Sequence, residues 1–322
     1  MKQQNKEELL NICDLSVSFR QYDEGTKQIS LPVISRLNVT INAGEIVAVV
    51  GSSGSGKSLL AHAILGILPY NAHLDGEIYF RQELLTQQRK KELRGKEIAL
   101  VPQSVNYLDP LMRVGDQVRN GDRTPGAIAK MKQLFHKYEL PEKTENLYPF
   151  ECSGGMSRRV LLSTALMGEP RLMIADEPTP GMELALAQKA MEDFRDFADE
   201  GNGVLLITHD IELALEVADR IAVFYAGTTV EEASVEDFAR EESLRHPYTK
   251  ALWRAMPRNG FQTIPGCQPY VKELPKGCVF GPRCPLFSDE CEGDVPEITV
   301  RGGKVRCIKC QQKKEENAYA GG

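Results

Sequence analysis

Gly51-Ser52-Ser53-Gly54-Ser55-Gly56-Lys57-Ser58 decides how this chain is read. The stretch fits G-x-x-x-x-G-K-[ST]. Before it, Glu45-Ile46-Val47-Ala48-Val49-Val50 reads as a buried strand, and after it Leu59-Leu60-Ala61-His62-Ala63-Ile64-Leu65 reads as a helix. Strand, glycine-rich turn and helix N-terminus in that order make a cradle for a nucleoside triphosphate. The glycines let the backbone wrap the phosphates, the N–H groups face the negative charge, Lys57 neutralises the β- and γ-phosphates, and the Ser58 hydroxyl completes the coordination of Mg²⁺. Gly51, Ser52, Ser53, Gly54, Ser55, Gly56, Lys57 and Ser58 are therefore the expected phosphate-binding residues.

Around this motif, apolar runs at Ile46 to Val50, Ile98 to Val101, Leu172 to Ala175, Val204 to Ile207 and Ile221 to Tyr225 alternate with helical stretches, an α/β pattern. From about 104 to 167 the alternation breaks, and segments such as Met131–Tyr138 and Arg159–Leu166 read as a helical insertion. After Arg240 comes a short helix at His246-Pro247-Tyr248, then a stretch dense in Pro, Gly and Cys. The expected division is an ATPase domain over 1–240 and an extension over 241–322, whose last residues from Gln311 are polar and read as frayed. At 322 residues, 42% hydrophobic and 26% charged, the composition is that of an ordinary folded protein. A net charge of -6 argues against a nucleic-acid partner. No apolar run reaches the roughly 18 residues of a membrane span, and the start, Met1-Lys2-Gln3-Gln4-Asn5-Lys6, has no apolar signal segment. The expectation is a cytoplasmic chain that works on a membrane only through separate spanning subunits.

A P-loop alone leaves kinases, GTPases and many ATPases open. Leu172-Met173-Ile174-Ala175-Asp176-Glu177 narrows the choice: a buried strand delivers Asp176 to the Mg²⁺ water shell and places Glu177 at its tip, where a carboxylate polarises the attacking water. Val204-Leu205-Leu206-Ile207-Thr208-His209-Asp210 is a second buried strand, ending in a histidine placed to touch the γ-phosphate. Glu151-Cys152-Ser153-Gly154-Gly155-Met156, just before a helix, resembles the signature motif of ABC ATPases. The resemblance implies a P-loop NTPase core with a helical subdomain and a small Cys-rich appendage. It also implies ATP and Mg²⁺ as ligands, and a sandwich in which Ser153, Gly154 and Gly155 of one subunit close on nucleotide held by the P-loop of another. Gln103, in Val101-Pro102-Gln103, matches the family glutamine that senses Mg²⁺ and couples to the membrane subunit. Phe19 lies where the family puts an aromatic under adenine, with Tyr22 as its rival. On this reading Glu177, His209 and Gln103 are the catalytic residues, and Ser58, Gln103 and Asp176 hold Mg²⁺.

The resemblance narrows to the oligopeptide, dipeptide and nickel branch of ABC importers. It rests on Tyr107-Leu108-Asp109-Pro110-Leu111-Met112-Arg113-Val114-Gly115, the Ser-Gly-Gly-Met signature, His246-Pro247-Tyr248-Thr249-Lys250-Ala251-Leu252, and Gly277-Cys278-Val279-Phe280-Gly281-Pro282-Arg283-Cys284-Pro285. It implies a peripheral ATPase at the cytoplasmic face of the membrane, with two permease subunits and, indirectly, an extracytoplasmic solute-binding protein. Peptide uptake is the leading reading, and nickel or a metal chelate the alternative. A soluble ABC ATPase of translation or DNA repair is the rival from another class; it would bring a second ATPase domain or a long coiled coil, and neither is seen. After Glu177 the family commonly ends its loop in aspartate, whereas Pro178-Thr179-Pro180-Gly181-Met182-Glu183 ends in glutamate, which favours a complementary second ATPase subunit over a homodimer. In the tail, some relatives hold an iron-sulfur cluster at positions matching Cys278, Cys284, Cys291 and Cys307. Their spacing alone leaves a [4Fe-4S] cluster and free, partly buried thiols both open. Cys13 and Cys152 read as packing residues.

Overall fold

The computed structural model describes residues 7–23, 25–52 and 54–310; Ser53 and the stretch from Gln311 onward lie outside them. In chain order the elements are β1 (Glu8–Asp23), β2 (Lys27–Asn42), β3 (Glu45–Gly51), α1 (Lys57–Leu65), β4 (Ala72–Phe80), β5 (Glu83–Leu84), α2 (Gln87–Leu93) and β6 (Ile98–Val101). There follow α3 (Val114–Val118), α4 (Pro125–Lys137), α5 (Gly154–Met167), β7 (Leu172–Asp176), α6 (Leu184–Asp199), β8 (Gly203–Thr208), α7 (Ile211–Val217), β9 (Arg220–Tyr225) and β10 (Thr228–Ser234). Helix α8 (Pro247–Ala255) and the short strands β11 (Ile298–Val300) and β12 (Gly303–Val305) complete the set.

The five apolar runs become β3, β6, β7, β8 and β9, a parallel block in the order β9-β3-β8-β7-β6. Every residue of β3, β7 and β8 is buried, because a parallel strand is covered on both faces and its sequence runs apolar without alternation. One face carries Ala48, Met173, Leu206 and Phe194 of α6. The other carries Val47, Val49, Ile174 and Leu205 against Leu60 and Ile64 of α1 and the side chains of a second sheet.

That second sheet is antiparallel, ordered β2-β1-β4-β5, and the apolar runs did not announce it. Its long strands are half-buried and broken by register shifts, so their period-two signal is interrupted. Pro32 is accommodated because β2 is an edge strand.

The helical insertion holds α3, α4 and α5 with a core of their own, Val114, Val118, Met131, Phe135 and Val160 among it. Thr124 caps α4 by accepting from Ala127 N, and Pro125 opens that helix. The tail docks onto the main sheet: β12 pairs antiparallel with β10, Glu231 opposite Val305, and β11 pairs with β12 to form the sheet's edge. Among the described residues no helix is long and apolar enough to cross a membrane.

Candidate nucleotide site

The site gathers at the C-terminal ends of β3, β7 and β8, where loops leave the parallel block. Gly51 ends β3 so close to β9 that a Cβ there would lie 2.2 Å from the Phe224 carbonyl oxygen. Gly56 precedes α1 at φ 94°, a left-handed conformation that only glycine takes without strain. Around Gly54, by contrast, a Cβ would meet nothing within 4 Å, and the residue is exposed.

Lys57 Nζ donates to the carbonyls of Gly51 (2.8 Å) and Ser52 (2.9 Å). An ammonium has three protons, so one remains for a phosphate oxygen. Burial pushes its pKa below the usual lysine value, and Glu177 and Asp176 pull it back. Ser58 Oγ donates to Asp176 Oδ1 (3.1 Å), bringing the two expected metal ligands together. Burial holds the Asp176 carboxyl above the ordinary carboxylate range; the Ser58 hydroxyl opposes that shift and Glu177 adds to it. Among the described residues, Ser55 Oγ is buried without a hydrogen-bond partner. An orphaned hydroxyl, an open glycine turn and a spare ammonium proton fit a bound phosphate chain, and the Ser58–Asp176 pair fits Mg²⁺.

Glu177 follows β7 with φ 47°, a strained conformation for a non-glycine residue, and its N–H donates to Ile207 O (2.8 Å). The carboxylate lies 2.9 Å from His209 Nδ1 through both oxygens and accepts from Thr208 Oγ1 at 3.4 Å. The His209 side chain is 62% exposed, against 8% for Glu177. Gln103 is exposed just beyond β6.

Arg158, on α5, had no motif to mark it. Its guanidinium is buried, and Nη1 donates to Pro102 O (3.1 Å) and Glu177 O (3.2 Å), tying the Gln103 segment to the Glu177 segment. The only hint in the sequence is a pair of arginines, Arg158-Arg159, just before the apolar run Val160-Leu161-Leu162.

Ser153 caps α5, its Oγ accepting from Met156 N (3.3 Å). Ser153 and Gly154 are exposed, and among the described residues no hydrogen bond joins them to their own P-loop. A Cβ on Gly155 would lie 3.4 Å from the Gly181 carbonyl oxygen, so the Pro180–Glu183 loop runs beside the signature. Phe19 is half-buried near the end of β1, opposite Leu31 and Ala72 and packed on the core. Tyr22, three residues on, is 70% exposed, with its hydroxyl accepting from Gln28 Nε2 (3.1 Å).

All eight cysteines are free, the six of the tail and the half-buried Cys13 and Cys152. Cys278, Cys284, Cys291 and Cys307 share one lobe: Cys278 N donates to Cys291 O (2.8 Å), and burial pushes the Cys278 thiol up to about 11, with the other three thiols adding to the shift. Among the described residues, however, no three His, Cys, Asp or Glu side chains close to metal-ligating spacing. The lobe gathers the thiols without forming a ligated centre.

Residues 34–180 match the ABC transporter family, and residues 230–291 match the oligopeptide/dipeptide transporter C-terminal region. The chain is 33% identical over 319 residues to the dipeptide transport ATP-binding protein DppD of Haemophilus influenzae, covering 93% of this chain and 94% of that one. It is 33% identical over 329 residues to the oligopeptide transport ATP-binding protein OppD of Escherichia coli, covering 96% and 95%. Among solved structures, a dimeric ATP-binding cassette in a post-hydrolysis state with ADP and Pi superposes with a TM-score of 0.61 at 26% identity, over 70% of this chain and 99% of the other.

Proposed function

The chain belongs to the ABC transporter family, and on that premise we propose that it is the ATP-hydrolysing subunit of an importer of peptides. The observation that carries the substrate class is the match at both ends: relatives named for dipeptide and oligopeptide transport align over nearly their whole length, the C-terminal region included.

The chemistry follows from the residues at the strand ends. Lys57 and the amides of Gly54, Ser55 and Gly56 hold the β- and γ-phosphates. Ser58 and Asp176 would hold Mg²⁺, with Gln103 completing its shell; the ion would supply neutralisation of the phosphate charge and favour the ionised form of Asp176. Glu177 takes the proton of a water whose oxygen attacks the γ-phosphorus. As that P–O bond forms, the bond to the β-phosphate oxygen breaks, and ADP and phosphate leave. His209 Nδ1 and Thr208 Oγ1 fix the carboxylate, and the exposed His209 ring is placed to meet the γ-phosphate. Adenine stacks at Phe19, with Tyr22 the more exposed ring on the same strand.

Ser153, Gly154 and Gly155 serve the nucleotide of a second ATPase subunit, and the exposure of Ser153 and Gly154 supports that role. The glutamate at 183 favours a partner of different sequence. Two permeases complete the assembly at the cytoplasmic face of the membrane, and the ATPase unit is taken as 1–240 with 241–322 as its extension. A [4Fe-4S] cluster on Cys278, Cys284, Cys291 and Cys307 is supported by their shared lobe and opposed by the lack of ligating spacing. Iron, sulfide and zinc analysis after anaerobic purification decides it; none of the three in folded protein removes the cluster.

The transport reading is tested by reconstituting the chain with its permeases in vesicles and following labelled dipeptide, oligopeptide and nickel. ATP-dependent peptide uptake is expected. Uptake of nickel without peptide would overturn the substrate class, and ATP hydrolysis with no membrane partner at all would overturn the transport role.

A further inference from the structure

The tail reaches the P-loop of its own chain. The segment from Ile264 to Gln268 crosses beside the end of β3 and, with Gly51, Ser52, His209, Tyr248 and Arg283, walls a cavity of about 430 Å³. Arg283 fastens this strap: Nε donates to Pro265 O (2.8 Å), Nη2 to Ile264 O (3.1 Å) and Nη1 to the Tyr225 hydroxyl (3.2 Å). Beyond that fastening, Gln268 Oε1 accepts a hydrogen bond from Ser52 Oγ at 2.5 Å. Ser52 in turn offers its carbonyl to Lys57 Nζ at 2.9 Å.

A serine fixes neither φ nor ψ by itself, so the direction of the Ser52 carbonyl depends on what holds the residue. We propose that Gln268 is a positioning residue for ATP: by holding the Ser52 hydroxyl it fixes the peptide whose carbonyl aims the Lys57 ammonium, so that the tail sets the affinity of the P-loop for nucleotide. The inference rests on the ATPase reading and adds to it a link inside one chain between the C-terminal extension and the phosphate cradle. Because Arg283 holds the strap independently, removing the Gln268 amide leaves the strap docked. Losing one neutral hydrogen bond predicts about a five- to tenfold weaker binding of MgATP.

The test is an equilibrium titration of the full chain with MgATP, for wild type, Gln268→Ala, Gln268→Met, Ser52→Ala and the Ser52→Ala/Gln268→Ala double variant, with Lys57→Ala alongside. Methionine keeps the volume of glutamine and lacks its acceptor, so a packing role is rescued by it and a positioning role is not. Expected are similar losses of affinity for both Gln268 variants, equally small falls in the urea midpoints of their nucleotide-free forms, and a double variant that binds MgATP no more weakly than Ser52→Ala alone. Wild-type affinity in Gln268→Ala and Gln268→Met, or full additivity of the two losses, overturns the inference while leaving a Lys57-dependent ATP site intact. A wild-type chain that binds no MgATP overturns the ATPase reading itself.

Discussion

Replacing Arg158 by methionine tests whether the two catalytic segments are held by one buried cation. The guanidinium donates to Pro102 O and Glu177 O, and burial pushes its pKa below the usual arginine value while Asp176 and Glu177 pull it back. Hydrogen bonds from a charged donor contribute about 1.5–3 kcal/mol each. Methionine would forfeit both and leave two carbonyls without that donor, but it would also relieve the desolvation of a charge. The net loss of stability is therefore about 2–4 kcal/mol. The functional loss has a different origin. Pro102 precedes Gln103, and the second carbonyl is that of Glu177 itself, so the substitution frees both segments; misplacing a reacting group by ~1 Å costs up to about 10²-fold. Lys57 and Ser58 have no bond to Arg158, so MgATP affinity should fall only by the share that the freed Gln103 segment contributes through Mg²⁺, less than the rate falls. Urea unfolding, MgATP titration and single-turnover hydrolysis on one preparation separate these effects. The expected result is a lower midpoint, an affinity that falls less than the rate, and a rate reduced about ten- to hundredfold. A wild-type rate in the folded variant would refute the positioning argument, and a loss of affinity equal to the loss of rate would show that Arg158 acts on the P-loop instead.

Lys57→Ala should remove tight MgATP binding, since it takes away the ammonium that spans the Gly51 and Ser52 carbonyls; unchanged affinity by calorimetry would contradict the P-loop assignment. His246 is fully buried, its pKa pushed down to about 3 by burial, and its Nδ1 accepts from Tyr248 N at the start of α8. Above pH 6.5 the ring is neutral in both folded and unfolded chains. As pH falls from 6.5 toward 3, only the unfolded chain takes the proton, so stability is lost across that window. His246→Asn keeps a cap acceptor without the titration and should flatten the fall, measured as urea midpoints between pH 7 and pH 4. Glu231 and Arg245 flank the site in both proteins, so the difference isolates the imidazole, and identical slopes would count against it.

The parallel block was legible because its strands are buried on both faces: Ile46–Val50 and Val204–Ile207 carry no polar residue to blur the run. The antiparallel sheet was not, because β1 and β2 alternate across half-exposed faces and slip register at Leu15 and Val17. In the site, Lys57, Ser58, Asp176, Glu177 and His209 stand in fixed motifs, and the fold brings them within hydrogen-bond reach of one another or of the same loop. Arg158 and Gln268 escaped because each works on a partner far away in sequence, Pro102 in one case and Ser52 in the other, and a lone arginine or glutamine has no local pattern. The docking of the tail escaped for a related reason. Strands β11 and β12 are three residues each, too short for any periodicity, and only their pairing with β10 reveals them.

Single-turnover hydrolysis by Glu177→Gln, in the transporter assembly proposed above, tests most directly the claim that this chain hydrolyses ATP at the ends of β3, β7 and β8. Glutamine keeps the shape of the side chain and loses the proton-accepting charge, and a positioned general base contributes about 10²–10⁴-fold. The account predicts that the variant binds MgATP like the wild type and retains it uncleaved at this site, with the rate lowered by that factor. Cleavage at the wild-type rate at this chain's own P-loop would contradict it.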